Sequence, residues 1–125
     1  MHQESLKILF ADDDVEDIDM LQEGLLEILP KHILQYVNHG EKIMSAAKAF
    51  GPDLIFLDYN MPGCNGAECL EKLKADDELK GIPVIMYSTS SMGSLLDESY
   101  KFGAARYLLK PVSYDGIFKG LRIIF

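Results

Sequence analysis

Three consecutive acids, Asp12, Asp13 and Asp14, follow an apolar run over 6–11. A fourth, Asp58, closes the apolar stretch 53–58, Ser88 closes 83–88, and Lys110 follows Arg106-Tyr107-Leu108-Leu109 and precedes Pro111. If these runs are parallel strands, their carboxyl ends share one edge, which is where open parallel sheets collect ligands. Three or four carboxylates, one hydroxyl and one ammonium then converge. Like charges a few ångströms apart repel by about 1–4 kcal/mol per pair at partly exposed sites. Such a cluster requires a cation or protonation of some of its members. Oxygen ligands without His or thiolate suit a hard ion, Mg²⁺ above all. With a metal, a carboxylate beside a hydroxyl and a lysine has the parts of a phosphoryl site: metal and ammonium neutralise the equatorial oxygens while the carboxylate attacks in line.

The elements that must hold these residues alternate in kind. Short β-rich runs over 6–11, 33–37, 53–58, 83–88 and 106–109 predict five strands. Between them Val15, Ile18, Leu21, Leu25 and Ile28 recur at three- and four-residue steps, one face of a helix. Asp14 is placed to cap that helix and Pro30 lies beyond its end. Ile43, Ala46, Ala47 and Phe50 mark a second helix, stopped by Gly51-Pro52. Further helices are expected over 66–75, 91–102 and 114–125. The third strand is apolar throughout, as a strand covered on both faces must be. Five βα units in this length describe an α/β open doubly wound sheet, whereas a (β/α)8 barrel needs about twice as many residues.

Composition narrows the function. At 125 residues the chain has the length of one domain, so 1–125 is read as a single unit without a fused DNA-binding output. With 48% apolar and 26% charged residues it has the make-up of a folded globular protein. A net charge of −8 argues against nucleic acid or an anionic membrane as partner. No apolar run approaches the length of a membrane span, and the polar start is no signal peptide. Two cysteines, Cys64 and Cys69, make no disulfide framework, so a cytoplasmic location is expected.

The chain resembles a response regulator receiver domain of the stand-alone, CheY-like kind. The resemblance runs from Leu6 to the last helix and rests on four dispersed motifs in order. These are Ile8-Leu9-Phe10-Ala11-Asp12-Asp13; Asp58-Tyr59-Asn60-Met61-Pro62 with Gly66; Ser88; and Tyr107-Leu108-Leu109-Lys110-Pro111. It implies a flavodoxin-like (βα)5 sandwich with strand order 2-1-3-4-5. It implies that Asp58 is the phospho-acceptor, that Asp13 binds Mg²⁺ directly and Asp12 through water, and that the Asn60 backbone carbonyl joins Asp58 among the ligands. Ser88 would close on the phosphoryl group, Lys110 would pair with its oxygens, and Tyr107 would turn inward on activation. A cis peptide before Pro111 would aim Lys110. A sensor histidine kinase or phosphotransfer protein would donate the phosphoryl group, and an effector protein would receive the signal. A homodimer through the fourth helix, fifth strand and last helix stays open. The family's usual small residue after the hydroxyl position is Thr89 here, expected to crowd the pocket. The apolar tip Ile123-Ile124-Phe125 either tucks under the sheet or covers a dimer contact.

Competing readings stand beside this one. A haloacid-dehalogenase-like phosphatase also uses a strand-end Asp, but its pattern needs a second Asp where Asn60 stands. A receiver-shaped binding module that is never phosphorylated would not need every key position filled. Asp12, Asp14, Glu16 and Glu23 have EF-hand spacing, yet Asp17 occupies the position that requires glycine. Tyr107 suits a static core role as well as a switch. Asp14 is a plain cap, Cys64 and Cys69 are packing residues, and His2, His32 and His39 carry no catalytic role.

Overall fold

The computed structural model describes residues 6–89, 93–110 and 114–125. Five strands alternate with helices: β1 (Lys7–Ala11), α1 (Val15–Ile28), β2 (Ile33–Val37), α2 (Ile43–Phe50), β3 (Leu54–Asp58), α3 (Gly66–Ala75), β4 (Val84–Ser88), α4 (Gly93–Lys101), β5 (Arg106–Leu109) and α5 (Tyr114–Ile124). All strand pairings are parallel, and the sheet order is β2-β1-β3-β4-β5, as expected. The order reverses between β1 and β3, so the edge above those two strands is the natural crevice.

Alternation along the strands divides the core into two layers. Leu9, Ala11, Ile55, Leu57, Val84 and Met86 face α2 and α3, where Ile43, Ala47, Leu70 and Leu73 meet them. Ile8, Phe10, Phe56, Ile85 and Tyr87 face the other way, against Leu21 and Leu25 of α1 and Ile117 and Leu121 of α5. Phe10, Phe56 and Tyr87 form an edge-to-face trio with ring centroids 5.6–6.2 Å apart. Such rings pair quadrupoles as well as burying area. The central strands β1, β3 and β4 are almost wholly buried, while β2 and β5 at the sheet's edges are largely exposed.

Local signals bound the helices, at Asp14 and Gly51 as anticipated. Asp14 accepts a hydrogen bond from Glu16 N–H and caps α1, and Asn65 does the same for Glu68 N–H at α3. Gly51, at φ 65°, closes α2 in the left-handed conformation that glycine tolerates. A 3-10 turn, Gly40–Lys42, precedes α2 and had no sequence signal. Asp53 does not extend β3: its carboxylate accepts a hydrogen bond from Lys7 N–H, tying the strand's entry to β1. The α5 tip divides, with Ile124 against the core and Ile123 facing outward. Residues 91 and 92, assigned to the fourth helix from sequence, lie outside the described residues. So do Ser90, and Pro111 with its expected cis peptide.

Gly66 is where backbone meets backbone. A Cβ there would lie 2.6 Å from Tyr59 Cα and 3.2 Å from the Asp58 carbonyl oxygen. Because a main chain cannot swing aside as a side-chain tip does, Gly66→Ala is expected to destabilise the protein by about 1–3 kcal/mol despite alanine's better helix propensity. A urea melt with an unshifted midpoint would contradict this.

Candidate functional site

The ladder hydrogen bonds run one residue past the strands and fix the site's backbone. Asp12 N–H donates to Val37 O at 3.0 Å, and Lys110 N–H donates to Ser88 O at 2.7 Å. Asp58 pairs with Tyr87 in register, and Ser88 with Leu109. Side chains from three strand ends and from the loop after β1 are thereby aimed at one crevice.

Asp12 and Ser88 are fully buried, Asp58 is 4% exposed, and Asp13 faces solvent. One carboxylate oxygen from each of Asp12, Asp13 and Asp58 lies within 4.8 Å of the others. The ammonium of Lys110 sits among them, 3.0 Å from Asp12 Oδ2 and 3.1 Å from Asp58 Oδ1. The Asp12 contact is an ion pair without hydrogen-bond alignment, which leaves Oδ2 a buried acceptor with no donor among the described residues. Asp12 Oδ1 accepts from Asp14 N–H at 3.0 Å, and Asp58 Oδ1 from Asn60 N–H at 3.3 Å. The structure thus brings Asp12, Asp13, Asp58 and Lys110 together, with Asn60 beside them and Ser88 at the adjacent strand end. Tyr107 is half-buried on β5, and its N–H donates to the Tyr100 hydroxyl at 3.2 Å. Thr89, expected to crowd the pocket, is exposed.

Electrostatics describe a site still short of positive charge. Burial pushes the Asp12 carboxyl up to about 7, with the neighbouring Asp58 charge adding to the rise. The Asp14 N–H and Lys110 oppose that rise without cancelling it. Burial alone would lower the Lys110 ammonium, yet its hydrogen bond to Asp17 and the nearby Asp12 and Asp58 carboxylates hold it above the ordinary lysine value. The all-oxygen donor set and the under-compensated Asp12 fit a hard divalent cation.

Three contacts were missed in the sequence. Asp17 of α1 donates no chemistry by motif, yet its carboxylate is 2.7 Å from Lys110 Nζ. Its helical phase was the available signal, since 17, 21, 24 and 28 share one face and Leu21 and Gly24 are buried. Tyr59 donates its phenol proton to Glu98 of α4 at 2.9 Å. Burial, then that bond, pushes the Tyr59 phenol up to about 12. Tyr87 places its ring centroid 5.6 Å from Lys110 Nζ, and its buried hydroxyl has no hydrogen-bond partner among the described residues.

The sequence model of the response regulator receiver domain matches residues 8–122. The chain belongs to that family. It is 33% identical over 124 residues to the nitrate/nitrite response regulator NarL of Escherichia coli K12, covering 96% of this chain and 55% of that protein. The chain therefore spans about half the length of that relative. It is 29% identical to the chemotaxis protein CheY-3 of Vibrio cholerae, covering 97% of this chain and 92% of that one. Among solved structures, the phosphorylated cyanobacterial phytochrome response regulator RcpA superposes with a TM-score of 0.86 at 31% identity, covering 96% of this chain and 91% of that one. The Mn²⁺-bound form of Rcp1 superposes at 0.83 and 29% identity, covering 95% and 91%. This chain is a receiver domain of two-component response regulators, a CheY-like flavodoxin fold, and the dehalogenase-like phosphatase reading finds no support. Receiver domains are not classical enzymes, are typically phosphorylated by histidine kinases, and hold Mg²⁺ or Mn²⁺ at an acidic pocket. No helix among the described residues is long and apolar enough to cross a membrane.

The Asp12 shift gives a pH dependence with a definite sign. Its folded value, about 7, lies above the ordinary 3.8, so a divalent ion must displace a proton below pH 7. Affinity for Mg²⁺ or Mn²⁺ is expected to weaken towards tenfold per pH unit below 7 and to level off above it. In the metal-free protein, the same shift favours folding at acid pH, and that contribution is lost as pH rises through about 7. Ion affinity that stays flat between pH 6 and 8 in calorimetric titration would contradict the assignment.

Proposed function

We propose that Asp58 accepts a phosphoryl group from a phosphohistidine on a sensor kinase or phosphotransfer protein, and that this domain acts as a switch in the cytoplasm. What supports this reading is one observation: a nearly buried carboxylate, Asp58, in contact with a buried ammonium, Lys110, inside a three-carboxylate cluster. Asp13, Asp12, Asp58 and the Asn60 carbonyl would hold Mg²⁺. Bound there, the ion would neutralise charge on the transferring group and orient it for in-line attack.

The chain's own residues do the rest. Asp58 Oδ1 is engaged by Asn60 N–H and Lys110, so Oδ2 is the oxygen we assign as nucleophile. The N–P bond of the donor breaks as the O–P bond to Asp58 forms, and the leaving imidazole keeps the electron pair and is protonated. Burial among Asp12, Ser88 and Tyr87 limits water, which strengthens the Lys110 interaction with phosphoryl oxygens. Hydrolysis of the acyl phosphate resets the switch.

The acyl phosphate adds almost two negative charges and strong acceptors. Drawing Ser88 towards them would open space for Tyr107 and remodel the α4–β5–α5 face. Tyr100 and Leu109 expose apolar surface on α4 and β5 there, for an effector protein or a second copy of the chain. A swing from 1% to 99% active needs about 5.5 kcal/mol of differential stabilisation.

Incubation with acetyl phosphate and Mg²⁺ is expected to add one phosphoryl group per chain, seen by intact mass, and to add none in Asp58→Asn. A gain that persists in that variant moves the acceptor elsewhere. No gain in the wild type would leave the binding-module reading in its place.

A further inference from the structure

Lys110 is shared by three carboxylates rather than two, and the third comes from a helix. Its Nζ lies 2.7 Å from Asp17 Oδ2, shorter than the 3.0 Å to Asp12 and 3.1 Å to Asp58. The Asp17 contact is a directed hydrogen bond, whereas Asp12 Oδ2 receives none. The Asp17 carboxylate is 23% exposed and the Lys110 side chain 9%, so the pair is screened little. Beneath the ammonium lies the Tyr87 ring, 5.6 Å away, a floor that limits where a long lysine stem can settle.

We propose that Asp17 is a positioning residue for Lys110, holding its ammonium in place when Asp12 and Asp58 are drawn to other partners. This deepens the reading of Asp58 as acceptor and rests on it. The argument follows from counting donors. A lysine ammonium has three protons, and three carboxylates surround this one. A divalent ion recruits Asp12 and Asp58, and phosphorylation moves the negative charge of Asp58 from its carboxylate onto phosphoryl oxygens. Asp17 belongs to neither group, so it is the contact that survives both events. Without it, the ammonium would either lose its orientation or turn fully onto Asp12 and Asp58, where it competes with the ion. The result is a slower transfer step and a weaker metal site, with the phosphodonor's own binding little changed.

The test uses the full chain, acetyl phosphate and saturating Mg²⁺. Asp17→Asn keeps the shape and removes the charge; it is expected to lower the maximal phosphorylation rate about tenfold, the scale of one charge-assisted positioning bond. The half-saturating acetyl phosphate concentration should stay within twofold, and the half-saturating Mg²⁺ concentration should rise severalfold. Asp17→Glu, which can still reach, should recover most of the rate. Asp19→Asn, which neutralises an exposed carboxylate on the same helix, should change neither by more than twofold. In a Lys110→Ala background, Asp17→Asn should have almost no further effect, because its action runs through the lysine. An undiminished effect there overturns the proposal, as does Asp17→Asn behaving like wild type while Asp58→Asn abolishes labelling. If the wild type takes up no phosphoryl group, the acceptor reading fails first. A Mg²⁺ titration of melting temperature would then judge Asp17 by itself, and an unchanged midpoint in Asp17→Asn would count against it.

Discussion

Two carboxylates, Asp12 and Asp58, are held out of water at the crossing point of the sheet, and one ammonium stands between them. Removing Lys110 would leave two buried negative charges facing each other, an arrangement that costs several kcal/mol even after relaxation. Everything nearby serves that contact. The ladder hydrogen bonds that carry Asp12 and Lys110 past their strands set the spacing, and the aromatic trio of Phe10, Phe56 and Tyr87 fills the volume beneath. The compensation is incomplete, as the raised Asp12 carboxyl records. A site poised in this way is receptive to an added cation, and its charge balance changes whenever Asp58 changes.

The strand-end residues were legible because parallel buried strands leave little ambiguity. Each apolar run stops abruptly at a polar residue, and in a doubly wound sheet all those stops fall on one edge. That reasoning located Asp12, Asp13, Asp58, Ser88 and Lys110 with no knowledge of distances. It could not locate Asp17, Glu98 or the Tyr87 hydroxyl. Whether a helical side chain reaches a strand-end residue depends on how the helix docks, which composition and periodicity leave open. Asp17 came nearest to being legible, because its helical phase matches Leu21 and Gly24. Its charge made it look like surface. The 3-10 turn Gly40–Lys42 had no marker at all, since its geometry follows from packing of the β2–α2 connection against the loop after β3, where Gly40 N–H donates to Pro62 O at 2.8 Å.

The two faces of the sheet are not equivalent. On the α1–α5 side, interlocked apolar and aromatic side chains make a continuous layer beneath Lys110. On the other side, α2 and α3 supply most of the apolar cover. The aromatic layer therefore lies under the cation, with the Tyr87 ring 5.6 Å from the Lys110 ammonium.

Helix α4 is secured differently from its neighbours. Its one buried residue among those described is Ser99, whose hydroxyl bonds back to Leu95 O. Its ties to the rest of the molecule include two phenols, Tyr59 to Glu98 and Tyr100 to the backbone of Tyr107. Hydrogen bonds of that kind contribute about 0.5–1.5 kcal/mol each, far less than a buried apolar face. One tie begins at the residue directly after Asp58, the other ends on β5, the strand that leads into Lys110. A helix fastened by latches in place of glue can be unhooked and rehung without disturbing the core, and both latches are anchored beside the chemistry.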